Sequence, residues 1–189
     1  MNRMRQSALP GALALVIALT MSTSAVGSPP EVIGKPLLDQ FNVGTVGGAL
    51  FGGSATAMWQ QVVTAGIEGQ LTRLDLYIVI DPSLSENNAT EVSITLGATG
   101  QLVWSTTEVL RSGWNTFDLS KARIFLEVGD EYAIGIHGQG DGDFNPGVGF
   151  SVGDVYPAGD LFLNGSTDTY EGYDMLFRTY VRRKHMKNQ

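Results

Sequence analysis

The chain has no cysteine. Disulfides, thiol nucleophiles, cysteine-held zinc and a lipid-carrying cysteine are all excluded. Histidine is scarce: His137 and His185 are its two bases of the usual catalytic kind. Gly149-Phe150-Ser151-Val152-Gly153 fits the letters Gly-x-Ser-x-Gly, but Pro157 and no helical period follow it, so it does not read as the strand–turn–helix nucleophile elbow. Helical periodicity is missing as well. Past the first thirty residues, no window of a dozen keeps its apolar positions at helical spacing. Positive charge is short in the body. Of 12 Lys and Arg, Arg3, Arg5, Arg182, Arg183, Lys184 and Lys187 lie outside residues 31–181, which leaves six inside. All 19 Asp and Glu lie within that span. So acidic a body repels phosphate backbones, and nucleic acid is not an expected partner. It tolerates cations and neutral sugars.

One apolar run stands at the start. Arg3 and Arg5 precede the nearly uncharged stretch Leu9–Met21, and small residues follow from Ser22 to Ser28. This is the pattern of a secretory signal peptide over residues 1–27. The run falls short of the ~20 residues that cross a bilayer as a helix. The mature chain is therefore expected to carry no transmembrane segment and to be secreted or periplasmic. Residues 28–37, with Pro29, Pro30 and Pro36, read as a linker. Residues 182–189 read as a solvated basic tail.

Between these, residues 38–181 alternate with a period of two. Leu74, Leu76, Ile78 and Ile80 form one apolar set; Val92, Ile94 and Leu96 another. Ile124, Leu126 and Val128 follow, then Tyr132, Ile134 and Ile136, then Val148, Phe150 and Val152, then Met175, Phe177, Thr179 and Val181. Each set turns one face to a core. Asp81-Pro82, Gly129-Asp130, Asn145-Pro146-Gly147 and Asn164-Gly165 mark turns between them. The expected fold is all-β: an antiparallel β-sandwich, jelly-roll-like, with about eight to ten strands. Residues 42–57, rich in Gly, Ala, Thr and Ser, predict a long loop or a loose edge segment.

Four segments carry a family resemblance: Gln60–Gly66 with Gly69–Leu76, Val128–Ile136, Tyr156–Phe162, and Tyr173–Val181. In that order they resemble the β-sandwich domain of bacterial exported proteins of the PEP-CTERM or choice-of-anchor type. The resemblance spans most of residues 38–181. It implies a fold similar in outline to carbohydrate-binding jelly rolls, and its motifs are structural, not catalytic. Such proteins often end in a sorting motif, an apolar helix and a basic cluster. Here the basic cluster follows Val181 directly, which points away from anchoring and toward secretion or periplasmic residence.

Three kinds of site are open to these residues. The loop His137–Gly147 sets Asp141, Asp143 and Asn145 two apart, as calcium loops do. Pro146 stands where an EF-hand needs glycine, and Val152 where it needs a bidentate Glu, so that motif is excluded. A looser structural calcium remains, with Asp39 and Asp174 as ligands from the two ends of the domain. Sugar binding needs exposed rings. Trp59, Tyr156, Tyr170 and Tyr173 are the candidates, whereas Trp104 and Trp114 are expected in core or rim packing. Hydrolysis needs a His–carboxylate pair or two carboxylates in one cleft.

The expected function is an exported, non-catalytic β-sandwich module that binds carbohydrate or extracellular matrix. The alternatives are a structural or assembly domain of the cell envelope and a secreted hydrolase. The expected partner is a polysaccharide or an envelope or matrix protein.

Overall fold

A computed structural model describes residues 34–50, 58–80, 89–97, 100–138, 147–163 and 172–183. Among them run β1 (Leu37–Asn42), β2 (Gly48–Leu50), β3 (Met58–Thr64), β4 (Gly69–Val79), β5 (Thr90–Leu96), β6 (Leu102–Glu108) and β7 (Gly113–Asp118). They continue as β8 (Ile124–Leu126), β9 (Glu131–Gly138), β10 (Gly147–Val152), β11 (Leu161–Leu163), β12 (Tyr173–Met175) and β13 (Phe177–Arg182). All pairings are antiparallel. These thirteen strands exceed the eight to ten expected; four have three residues and the other nine have six or more.

The strands form two sheets. One has five strands in the order β11-β3-β9-β5-β6. The other has eight, with the path β1-β13-β4-β10-β12; β7 and β8 add to β4, and β2 adds to β10. The two sheets pack as a β-sandwich. Among the described residues no helix is long and apolar enough to cross a membrane.

The core follows from alternation. Leu74, Leu76 and Ile78 of β4 are buried together with Phe177 and Val181 of β13. Trp59 and Val63 of β3, Ile134 and Ile136 of β9, and Val92 and Ile94 of β5 close it from the other sheet. Each such side chain contributes about 1.5–3 kcal/mol by leaving water. Two expected alternations end early. Val128 is 68 % exposed, because the chain turns at Glu127–Asp130, where the Glu127 N–H donates to the Asp130 carboxylate at 2.7 Å. In β10, Val148 is buried but Val152 is 57 % exposed, and Ser151 is buried instead. Ser151 is drawn in by a hydrogen bond from Asn42 Nδ2 at 2.7 Å.

β4 is the longest strand and pairs with β7, β8, β10 and β13. It begins at Gly69, where β13 crosses closely. A Cβ at Gly69 would stand on the Arg182 carbonyl oxygen, so only glycine fits this contact. Gly69→Ala is expected to cost about 1–3 kcal/mol, read as a lower urea midpoint; an unchanged midpoint would remove the close-approach argument.

Candidate functional site

The outer face of the eight-stranded sheet carries the candidate site. Inward positions of β4 are apolar, so Arg73, Asp75 and Tyr77 point outward. Pairing aligns them with outward residues of three neighbours. One row runs Leu38, Tyr180, Arg73, Asp118; the next runs Phe41, Arg178, Asp75, Thr116; the third pairs Tyr77 with Trp114. With strands ~4.8 Å apart, the four strands span about 14 Å.

Polar and aromatic groups on this face hold one another. Arg73 forms a bidentate pair with Asp75, Nε to Oδ1 and Nη2 to Oδ2, both at 2.8 Å. Thr116 Oγ1 donates to Asp75 Oδ1 at 2.8 Å. The Asp75 side chain is 2 % exposed and the Arg73 side chain 43 %, so the guanidinium roofs the carboxylate. The hydrogen bond to Asp75 raises the Arg73 pKa above its ordinary value. Arg73 also lies over the Tyr180 ring, 4.6 Å from its centroid. Arg178 reaches across β4 and stacks on Trp114 at 4.0 Å. Tyr77 meets the same indole edge-on, with centroids 5.4 Å apart. Both guanidinium stacks fall within cation–π range. Trp114 remains 38 % exposed and Phe41 52 %.

At the row's end, the Ser120 hydroxyl and N–H hold Asp118 below the usual carboxylate value, and the charges of Lys121 and Arg182 add to this.

The aromatic residues expected as a sugar platform have different places. Trp59 is 3 % exposed, because alternation in β3 turns Trp59, Gln61 and Val63 into the core. Tyr156 is 5 % exposed and packs edge-on against Phe177. Its hydroxyl accepts from the Thr64 N–H at 3.2 Å and stands 3.3 Å from Gln40 Oε1, and burial raises its pKa to about 12. These two rings are therefore core and are corrected as surface platforms. Tyr173 is half-buried at β12 and lies edge-on to Phe150. Tyr170 lies outside the described residues. The exposed indole is Trp114, expected as packing; Trp104 packs edge-on against Phe117 at 6.2 Å. A signal for Trp114 was available: in Trp114-Asn115-Thr116-Phe117-Asp118-Leu119, alternation opposes Trp114 to the buried Phe117 and Leu119.

Asp141, Asp143 and Asn145 lie outside the described residues. Asp174 is buried between the sheets, where its carboxylate accepts from the Tyr156 N–H at 2.8 Å and from Gln61 Nε2 at 3.3 Å. These N–H groups turn positive dipole ends on the oxygens a cation would use. Asp39 accepts from the Gly66 N–H at 3.0 Å. Burial raises the pKa of both carboxyls. Among the described residues, no three or more His, Asp or Glu side chains converge as a metal site would require. His137 faces Glu91 on the outer side of the other sheet, Nδ1 3.8 Å from the carboxylate, with both side chains about a third exposed. That pair lies on the opposite face of the sandwich from Trp114.

The Asp174 pKa sets a pH dependence. In the unfolded chain it titrates near ~3.9. Burial raises the folded value, so the stability from a neutral Asp174 is complete below ~3.9 and is lost as pH rises through the folded pKa. Asp174→Asn is neutral at every pH but turns an amide N–H2 toward existing donors, at about 1–3 kcal/mol. The stability gap between native protein and D174N is expected to be widest near pH ~4 and to narrow toward neutrality. Urea unfolding at both ends of that range measures it, and a gap that widens with pH contradicts the assignment.

No protein-family model matches the chain, and no curated protein matches it in sequence.

Proposed function

We propose that the chain is an exported, non-catalytic module that binds a saccharide on the outer face of its eight-stranded sheet. The observation that carries this reading is Trp114, an indole 38 % exposed and contacted by Arg178 over its ring and by Tyr77 edge-on. A ring fixed by its neighbours gives up little rotational freedom on binding. Sugars present axial C–H groups that stack on such a ring, and Thr116, two residues along β7 on the same face, offers a hydroxyl beside it. The face spans about 14 Å across four strands, which suits a chain laid across strands better than a small molecule in a pocket. Export rests on residues 1–27, with their basic start, apolar run and small-residue end.

A second reading is a structural or assembly domain of the envelope. It is favoured by Leu38 and Phe41, exposed at 44 % and 52 % on the same face. Large exposed apolar groups beside aromatic ones also mark protein contacts.

Retention on a panel of insoluble polysaccharides distinguishes the two. Native protein is expected to be retained on at least one polymer, and Trp114→Ala to weaken that binding about tenfold, equivalent to ~1.4 kcal/mol, with an unchanged melting temperature. Retention that is indifferent to W114A, or absent on every polymer, would sink the saccharide reading. A homogeneous assembly lost with Phe41→Ser would favour the second.

A further inference from the structure

The saccharide reading leaves the charge of the ligand open, and the arrangement of cations on the face bears on it. The chain carries a formal net charge of −7. Residues 31–181 hold six Lys and Arg against 19 Asp and Glu. Two of those six, Arg73 and Arg178, stand on the outer face of the eight-stranded sheet, on adjacent strands. Their situations differ. Arg73 is neutralised by the bidentate pair with Asp75. Arg178 is opposite Asp75 in register, yet both Asp75 oxygens are occupied by Arg73 and one also by Thr116. Arg178 turns away and places its guanidinium carbon over the Trp114 ring, 4.0 Å from the centroid. Among the described residues it forms no ion pair and donates no side-chain hydrogen bond.

A stacked guanidinium keeps its N–H groups in the plane of the fork, directed past the ring edge. Stacking satisfies the π face and leaves the five donors unmatched. Arg178 is half-buried, so water reaches it on part of its surface only. A planar carboxylate matches two of its donors at once, which a hydroxyl does not. The partially exposed indole beside it offers a surface for ring C–H groups. A ligand that uses both carries a carboxylate on a pyranose ring. Long-range repulsion from the acidic body does not forbid this, since charges more than ~8 Å away are largely screened at physiological ionic strength.

We infer that the face selects uronate-bearing, carboxylate polysaccharides, with Arg178 taking the carboxylate and Trp114 stacking on the ring. This rests on the saccharide reading. Arg73 is left as the partner of Asp75 and takes no part in the selection.

The test uses pairs of polymers that share a backbone and differ in charge: polygalacturonate and its methyl ester, alginate and its propylene glycol ester, hyaluronan and its carboxyl-reduced form. Binding of the full chain is measured by affinity electrophoresis and calorimetry. The acidic member of at least one pair is expected to bind tenfold or more tightly than its neutral partner. Arg178→Gln is expected to abolish that preference, with the acidic member losing far more affinity than the neutral one, and Arg178→Lys to keep only part of it, because an ammonium lacks the fork. W114A weakens both members. Melting curves for each variant confirm folding; if R178Q fails to fold, R178K alone decides, by whether the preference falls. Equal binding of both members that W114A weakens, and that R178Q changes to the same extent for both, would overturn the carboxylate inference and leave saccharide binding intact. No binding to any member would overturn both.

Discussion

Gln61 ties the sandwich together. It sits on the inward face of β3, fully buried among Trp59, Val63 and Ile134. An amide in that position loses water on every side and must be matched. Its Oε1 accepts from the Met175 N–H at 2.9 Å, and its Nε2 reaches Asp174 Oδ1 at 3.3 Å and the Gly159 carbonyl at 3.1 Å. Asp174 in turn accepts from the Tyr156 N–H, and Asn42 donates to the Met175 carbonyl at 2.9 Å. One side chain of the five-stranded sheet thus fixes the end of β12, the segment before β11 and, through Asn42, the end of β1. A satisfied polar network in a core specifies one arrangement, whereas apolar packing alone tolerates small slips. A Cβ at Gly159 would stand on the Val62 carbonyl oxygen, so the segment closes tightly over β3.

This internal bridge and the outer face answer to different physics. Inside, Asp174 is held by neutral N–H donors, and burial raises its pKa. Outside, Asp75 is equally hidden from water but is roofed by a cation, Arg73. The first anchors the layers to each other. The second stiffens the face that meets solvent, because Arg73, Asp75, Thr116 and Tyr180 restrict one another, as do Arg178, Trp114 and Tyr77. Removal of Arg73 would leave the Asp75 charge without its roof, so the face depends on that pair for its shape.

Much of the fold was legible in the sequence. Leu74–Ile78, Tyr132–Ile136 and Phe177–Val181 alternate and are buried as alternation requires. The failures have local causes. Val152 and Val128 continue an apolar period past the point where the strand has left the core. Trp59 and Tyr156 looked available because aromatic rings near polar residues in sequence suggest a surface. Burial depends on which side of the strand faces in, and in β3 that side holds Trp59 and Gln61 together. The site itself was only half legible. The outward position of Trp114 could be read from Phe117 and Leu119. The stack of Arg178 on Trp114 could not, because it joins two strands across a third, and nothing local relates residue 178 to residue 114.

The same geometry constrains the order in which the chain can fold. β13 lies between β1 and β4, and Gln40 and Thr179, hydrogen-bonded across β1 and β13, are 139 positions apart. Until Phe177–Arg182 has been made, Leu71, Leu74 and Leu76 have no strand beside them on that edge. Contacts this distant form late, since the intervening loop must close first. A ribosome therefore releases most of the described strands before β4 gains its β13 partner, and until then that edge of the longest strand is unpaired.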